Sequence, residues 1–150
     1  MKVEEILDIN TIKVHLESTT KEGAISELTQ VLKDNNYIDD VVQFEKDIYN
    51  REAQGQTGIG NYIAIPHGLS STVKKVGVAI GISKEEIEWE TLDDNGVKVI
   101  ILFSVSDETD GATNHLKLLS TFARKLGNDE VIEALLKSEK AEDVITSFTQ

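Results

Sequence analysis

Residues 97–105 read Val-Lys-Val-Ile-Ile-Leu-Phe-Ser-Val. The run is β-branched and apolar, broken by one lysine, and it is the strongest strand signal in the chain. A loop over 106–112 follows, and then a helical pattern. Thr113 or Asn114 can cap that helix, which runs to about Gly127 with His115, Leu118, Leu119, Phe122 and Leu126 on one face. Two shorter helices are expected at about 129–137 and 140–148. Upstream, residues 76–82 (Val-Gly-Val-Ala-Ile-Gly-Ile) read as a second buried strand. Residues 9–16 alternate, with Ile12, Val14 and Leu16 on one side, which suggests a half-buried strand after one helical turn at 3–8. Thr19 and Thr20 are helix-start residues, and Ala24, Ile25, Leu28, Val31 and Leu32 follow at helical spacing before Asp34-Asn35-Asn36 ends the pattern. Asp39 or Asp40 can cap the next helix. Its buried candidates are Val41, Val42, Phe44, Ile48 and Tyr49, with Gly55 as its stop. Strands interleaved with helices indicate an α/β sandwich around a largely buried sheet. Strand order is not set by this pattern.

The 150 residues are read as one domain, 1–150, with 39% hydrophobic and 28% charged residues typical of a globular protein. No stretch approaches the roughly 18 apolar residues of a membrane span. The N-terminus is too acidic for a signal peptide, so a cytoplasmic location is the default expectation. There is no cysteine, hence no disulfide, thiolate chemistry or Cys-ligated metal. A net charge of −12 argues against binding nucleic acid or an anionic membrane, and leaves solubility or a basic protein partner as its reading. Thirteen of the fifteen basic residues are lysines; the arginines are Arg51 and Arg124. An arginine is a rare choice here, and its planar fork suits phosphate recognition.

Residues 55–68 read Gly-Gln-Thr-Gly-Ile-Gly-Asn-Tyr-Ile-Ala-Ile-Pro-His-Gly and hold four of the ten glycines and the only proline. Gly58-Ile-Gly60 is neither a dinucleotide fingerprint nor a nucleotide P-loop, since the third glycine and the Gly-Lys-Ser/Thr are missing. It reads as a turn before a strand, or as a place where another molecule or the segment's own backbone approaches closely. Ile65 precedes proline and favours an extended backbone. Ile63 and Ile65 then point into the core, and His67 emerges at the strand's end between a fixed φ and a permissive glycine.

A lone histidine is most often structural, but this backbone specification points to a directed side chain. Neutral imidazole is a nucleophile near pH 7. If one ring nitrogen donates to a backbone carbonyl, the other keeps a lone pair that can attack phosphorus. His67 is therefore expected to face solvent and carry a phosphoryl group, with cationic and N–H donors around the equatorial oxygens. Arg51, sixteen residues earlier, is one candidate; the alternative is an ion pair with Asp47 or Glu52. His115, expected in the first turn of its helix, is the second candidate; the alternative is a buried or rim histidine. His15 is read as structural or exposed. A three-histidine zinc site lacks local spacing, and a hydrolase built on Ser70 or Ser71 lacks a nucleophile elbow.

Taken together, Arg51-Glu52 with Gly55, Thr57-Gly-Ile-Gly-Asn, Ile63-Ala-Ile-Pro-His-Gly, and His115-Leu-Lys-Leu-Leu with Ala123-Arg124 resemble the fructose/mannitol-type enzyme IIA domain of the bacterial phosphoenolpyruvate-dependent sugar phosphotransferase system. The resemblance covers the whole chain. It implies an α/β fold with a mixed, mostly parallel sheet flanked by helices on both faces. It implies that the histidine at position 67 accepts a phosphoryl group on Nε2 from the histidine-containing phosphocarrier HPr. That group passes to a cysteine of the IIB component, and from there to sugar at the membrane IIC component. Arg51 and His115 surround the phosphoryl group, and no metal or cofactor is required. A regulatory protein of the nitrogen-related branch, using the same histidine to signal through partner binding, is the alternative. Tyr62 stands where family members commonly have glycine, so an extra ring is expected at the site rim. Gln54 and Gln56 also depart from the family pattern.

Overall fold

A computed structural model describes residues 2–108 and 111–149. Asp8 and its neighbours show first how local chemistry reshapes a sequence pattern. The Asp8 carboxylate accepts from the Asn10 amide at 2.9 Å and caps a 3-10 turn over Ile9–Thr11. The alternating segment at 9–16 is thus mostly turn, and only β1 (Ile12–Lys13) pairs as strand. The helical turn before it, α1, spans Val3–Ile6.

Helix α2 (Lys21–Asp34) starts at Thr20, whose side chain accepts from the Gly23 amide, and it ends at Asn35. Asn36 then takes a positive φ of 64°, a conformation asparagine tolerates. Asp40 caps α3 (Val41–Glu52) by accepting from the Gln43 amide. Phe44 and Ile48 are fully buried on this helix, but Val42 is 76% exposed and Tyr49 37% exposed. The apolar stripe of α3 is therefore narrower than its sequence suggests. The glycine-rich stretch forms β2 (Gly58–Gly60), then a turn through Asn61 and Tyr62 at φ 56° and 68°, then β3 (Ile63–Ala64).

The strands β4 (His67–Ser70), β5 (Gly77–Ile87) and β6 (Val97–Ser106) complete a six-stranded sheet. Its order is β1-β5-β6-β3-β2, with β4 also on β6. β1 on β5, β3 on β6 and β4 on β6 are parallel; β2 on β3 and β5 on β6 are antiparallel. The sheet is thus mixed and mostly parallel by pairing. β6 is central and buried on both faces, which explains its unbroken apolar sequence. Val99, Ile101, Phe103 and Val105 face one cluster with Leu118, Phe122, Leu135 and Phe148. Ile100 and Leu102 face the other, with Ile25, Leu28, Phe44 and Ile48.

Helices therefore cover both faces. α2 and α3 lie on one, and α1, α4 (Gly111–Leu126), α5 (Asp129–Leu136) and α6 (Ala141–Thr149) lie on the other. α4 begins at Gly111, so Thr113 and Asn114 sit inside the helix rather than capping it. Part of the expected 106–112 loop, residues 109–110, lies outside the described residues.

Candidate active site

β3 and β4 lie on the same edge of β6 with one common offset: Ile63 pairs with Val99 and His67 with Phe103. They form one strand interrupted at Ile65-Pro66, where proline supplies no N–H to the ladder. The Phe103 amide donates to the Pro66 carbonyl at 3.0 Å, which fixes His67 directly beside Phe103. Gly68 is needed for space rather than for an unusual φ, since a Cβ there would overlap the Phe44 ring and crowd the Phe103 carbonyl. Gly58 has the same role against Thr91 and the Glu90 carbonyl, so its close approach is to the chain's own backbone.

His67, Arg51 and His115 line one pocket of about 200 Å³, together with Asp47, Asn50, Gln54 and Leu69. The fold brings the three expected residues together from β4, α3 and α4. Among the described residues β4 pairs only with β6, and the pocket lies beside that strand.

The expectation that His67 faces solvent is corrected: the residue is only 8% exposed. Its ring stacks on Phe103 at 5.6 Å between centroids and 12° between planes, and meets the His115 ring edge-on at 4.5 Å and 81°. The expected backbone carbonyl partner is also replaced. His67 Nδ1 lies 3.1 Å from His115 Nε2, one ring donating and the other accepting according to tautomer. Nε2 of His67 has no hydrogen-bond partner among the described residues. Burial, then repulsion from His115 and Arg51, push the His67 pKa down to about 3. Burial and Arg51 also lower that of His115. Both rings are neutral at pH 7.

A neutral ring allows two tautomeric arrangements. When His67 donates from Nδ1 to His115 Nε2, His67 Nε2 holds a free lone pair and is nucleophilic. The reverse arrangement puts the proton on His67 Nε2 and quenches it. His115 reaches this position from the second turn of α4, not the first. Its contribution is thus its ring, not the unpaired amides of a helix start.

Arg51 donates from Nη1 to the Gly55 carbonyl at 2.9 Å. Neither ion pair considered for it from the sequence forms among the described residues. Glu52 instead binds Lys21 Nζ at 2.9 Å and the Thr57 hydroxyl, and Asp47 accepts from Ser70 and Gln43. The Arg51 guanidinium keeps its positive charge and further N–H donors beside His67.

Tyr62 does not stand at this rim. Five residues before His67 along an extended path, it is about 16 Å away at 3.3 Å per residue, at the other end of the interrupted strand. Its ring lies under Lys98 Nζ at 5.2 Å, and it shares a separate pocket with His15, Lys98 and Ser138. His15 is thus apart from the other histidines, and no cluster of three metal-ligating side chains occurs among the described residues. The Ser70 hydroxyl pairs with Asp47 and Thr72 rather than with a histidine. Arg124 is exposed on α4, beside Leu116, Lys117, Ser120 and Thr121.

Asp47 and Asn50 also line the pocket, and their spacing with Arg51 puts these three on one face of α3, while Gln54 lies just past its end. Phe103 was legible only as core; its stacking on His67 depends on β4–β6 register, which no local pattern encodes.

Residues 5–150 match the family described as the phosphoenolpyruvate-dependent sugar phosphotransferase system, EIIA 2. The chain belongs to that family. As a type-2 IIA protein it is a component of the sugar phosphotransferase system. It is 35% identical over 151 residues to the fructose-specific EIIABC component of Bacillus subtilis, covering 100% of this chain and 23% of that one. It is 34% identical over 146 residues to the fructose-specific EIIA component of Haloferax volcanii, covering 93% and 94%. Among solved structures, the nitrogen regulatory protein IIA-Ntr of Neisseria meningitidis superposes with a TM-score of 0.87 at 26% identity, over 98% and 99% of the chains. Among the described residues of this IIA protein, no helix is long and apolar enough to cross a membrane.

Proposed function

We propose that the 150 residues act as a single IIA domain that carries a phosphoryl group on Nε2 of His67. The supporting observation is the 3.1 Å contact between His67 Nδ1 and His115 Nε2 beside a guanidinium that forms no ion pair among the described residues. In the incoming step, His67 Nε2 attacks the phosphorus of a phosphohistidine on HPr. The new N–P bond forms as the old one breaks, and the carrier's imidazole leaves with its electron pair. His67 keeps its Nδ1 proton, held by His115. Arg51 stabilises the equatorial oxygens, while His115, accepting from Nδ1, orients the His67 ring. The outgoing step is the same displacement by a cysteine thiolate of a IIB component, which restores the His67 lone pair. The thiophosphate then serves uptake and phosphorylation of a fructose- or mannitol-like sugar at IIC.

Support for the IIB and IIC partners comes from the Bacillus subtilis relative, whose name joins the A, B and C components. The fructose-specific names of the two relatives at 35% and 34% identity favour transport over the nitrogen-branch reading. Metal and cofactor play no part in the proposed chemistry, and the protein works in the cytoplasm, where HPr resides. The test is incubation with labelled phosphoenolpyruvate, the first phosphotransferase enzyme and HPr. Wild-type protein takes acid-labile label and the His67→Ala variant takes none; normal labelling of the variant refutes the assignment.

A further inference from the structure

Arg51 has two acidic residues near it in sequence, of which only Asp47 shares its helix face. Asp47 lies four residues before it on α3, the favourable orientation for a helix ion pair, and lines the same pocket. Glu52 follows it directly. Neither pairs with it, and the reasons differ. Glu52 is committed to Lys21 and Thr57, which join α2 and the glycine-rich loop. Asp47 is held by a serine on the strand of the reactive histidine: Ser70 Oγ donates to Asp47 Oδ2 at 2.6 Å. Gln43 Nε2 donates to Asp47 Oδ1 at 3.0 Å, so both carboxylate oxygens are engaged. Ser70 is fully buried, and its oxygen accepts from the Thr72 amide at 3.3 Å, which orients the hydroxyl. Among the described residues, what remains for Arg51 is the neutral carbonyl of Gly55.

We propose that Ser70 is a positioning residue that keeps the Asp47 carboxylate off Arg51, so that the guanidinium stays uncompensated for the phosphoryl group. The proposal rests on the phosphocarrier reading above. Ser70 touches no reacting atom. It acts through Asp47, because a carboxylate released into the pocket would occupy the Arg51 fork and repel an incoming phosphoryl dianion. Gln43 is the second tether of the same device. The arrangement is a pairing avoided rather than a pairing made.

The test measures transfer from labelled phospho-HPr to wild type, Ser70→Ala and Ser70→Ala/Asp47→Asn over a range of carrier concentrations. Ser70→Ala should lower the maximal transfer rate by about tenfold, a change of about 1.4 kcal/mol in the barrier, with KM for the carrier nearly unchanged. Adding Asp47→Asn should restore most of that rate, because the amide cannot neutralise Arg51. A double variant as slow as Ser70→Ala would overturn the proposal and make Ser70 a packing residue. So would full activity in Ser70→Ala. If Ser70→Ala fails to fold, Gln43→Ala, at a half-buried site, gives the same reading: slowed transfer rescued by Asp47→Asn supports the proposal, and unslowed transfer overturns it.

Nitrogen-15 spectra of the Arg51 guanidinium separate the two layers of the argument. In Ser70→Ala, hindered rotation of the guanidinium should report new pairing with Asp47, and in the double variant it should vanish. That readout needs no phosphoryl transfer, and an unchanged Arg51 signal in Ser70→Ala would overturn the proposal. Wild-type protein that takes no label would overturn the carrier reading instead.

Discussion

At the scale of single residues, the site depends on keeping two imidazoles neutral and one guanidinium charged in a space of about 200 Å³. Burial and the neighbouring charge of Arg51 lower the pKa of both histidines. Phosphorylation reverses the sign of the local field, because a dianion then lies beside His115. The pKa of His115 is therefore expected to rise on phosphorylation of His67, read by nitrogen-15 or ring-proton shifts across pH 5–9; an unmoved titration would place His115 away from the phosphoryl group. Arg51→Lys is expected to slow phosphoryl acceptance by roughly tenfold while changing stability little, since a point charge cannot match the planar fork. Stopped-flow transfer from phospho-HPr checks this, and equal rates would remove Arg51 from the chemistry. That His67, Arg51 and His115 share one pocket was legible in the sequence. The Nδ1–Nε2 contact was not, because it needs the α4-to-β4 distance. Nor was the withdrawal of Asp47, which needs Ser70 to arrive from another element.

At the scale of elements, β4 is positioned by what packs against it on either side. Phe44 of α3 fills the space above Gly68, and Phe103 of β6 stacks under His67. Gly68→Ala is expected to destabilise the fold by about 1–3 kcal/mol, because it overpacks a rigid aromatic contact rather than a flexible side chain. Chemical denaturation would show this, and unchanged stability would mean that α3 shifts at no cost. Elements with capping residues or long apolar runs were readable in advance: Thr20 and Asp40 start α2 and α3 as expected, and β6 matches its sequence run closely. Elements set by tertiary pairing were not. β1 shrank because Asp8 offered the backbone a turn instead of a ladder. β5 extends to Ile87 because β6 offers it a partner that far, through a register shift. Tyr62 was misplaced for a similar reason, since distance along an extended chain, not closeness in sequence, separates it from His67.

At the scale of the whole molecule, burying neutral histidines links stability to pH. The folded His67 refuses a proton until about pH 3, whereas the unfolded ring takes one near 6.5. Between those values the unfolded chain binds more protons, so stability falls as pH drops below about 6.5, with a limiting slope of about 1.4 kcal/mol per pH unit for one group. The lowered carboxylates Glu27 and Glu90 act in the same direction, but only at lower pH. Melting temperature should therefore fall between pH 7.5 and 5.5 more steeply in wild type than in His67→Gln; parallel profiles would contradict the buried neutral ring. The two-faced sheet brings residues 51, 67 and 115 from three elements to one pocket, a convergence the sequence could only suggest through its motif. The direct test of that convergence is nitrogen-15 and phosphorus-31 spectroscopy of protein phosphorylated through HPr. A single phosphohistidine at His67, bonded through Nε2 with Nδ1 still protonated, is the expected spectrum. Phosphorus on Nδ1, on His115 or His15, or on no histidine at all would contradict the account.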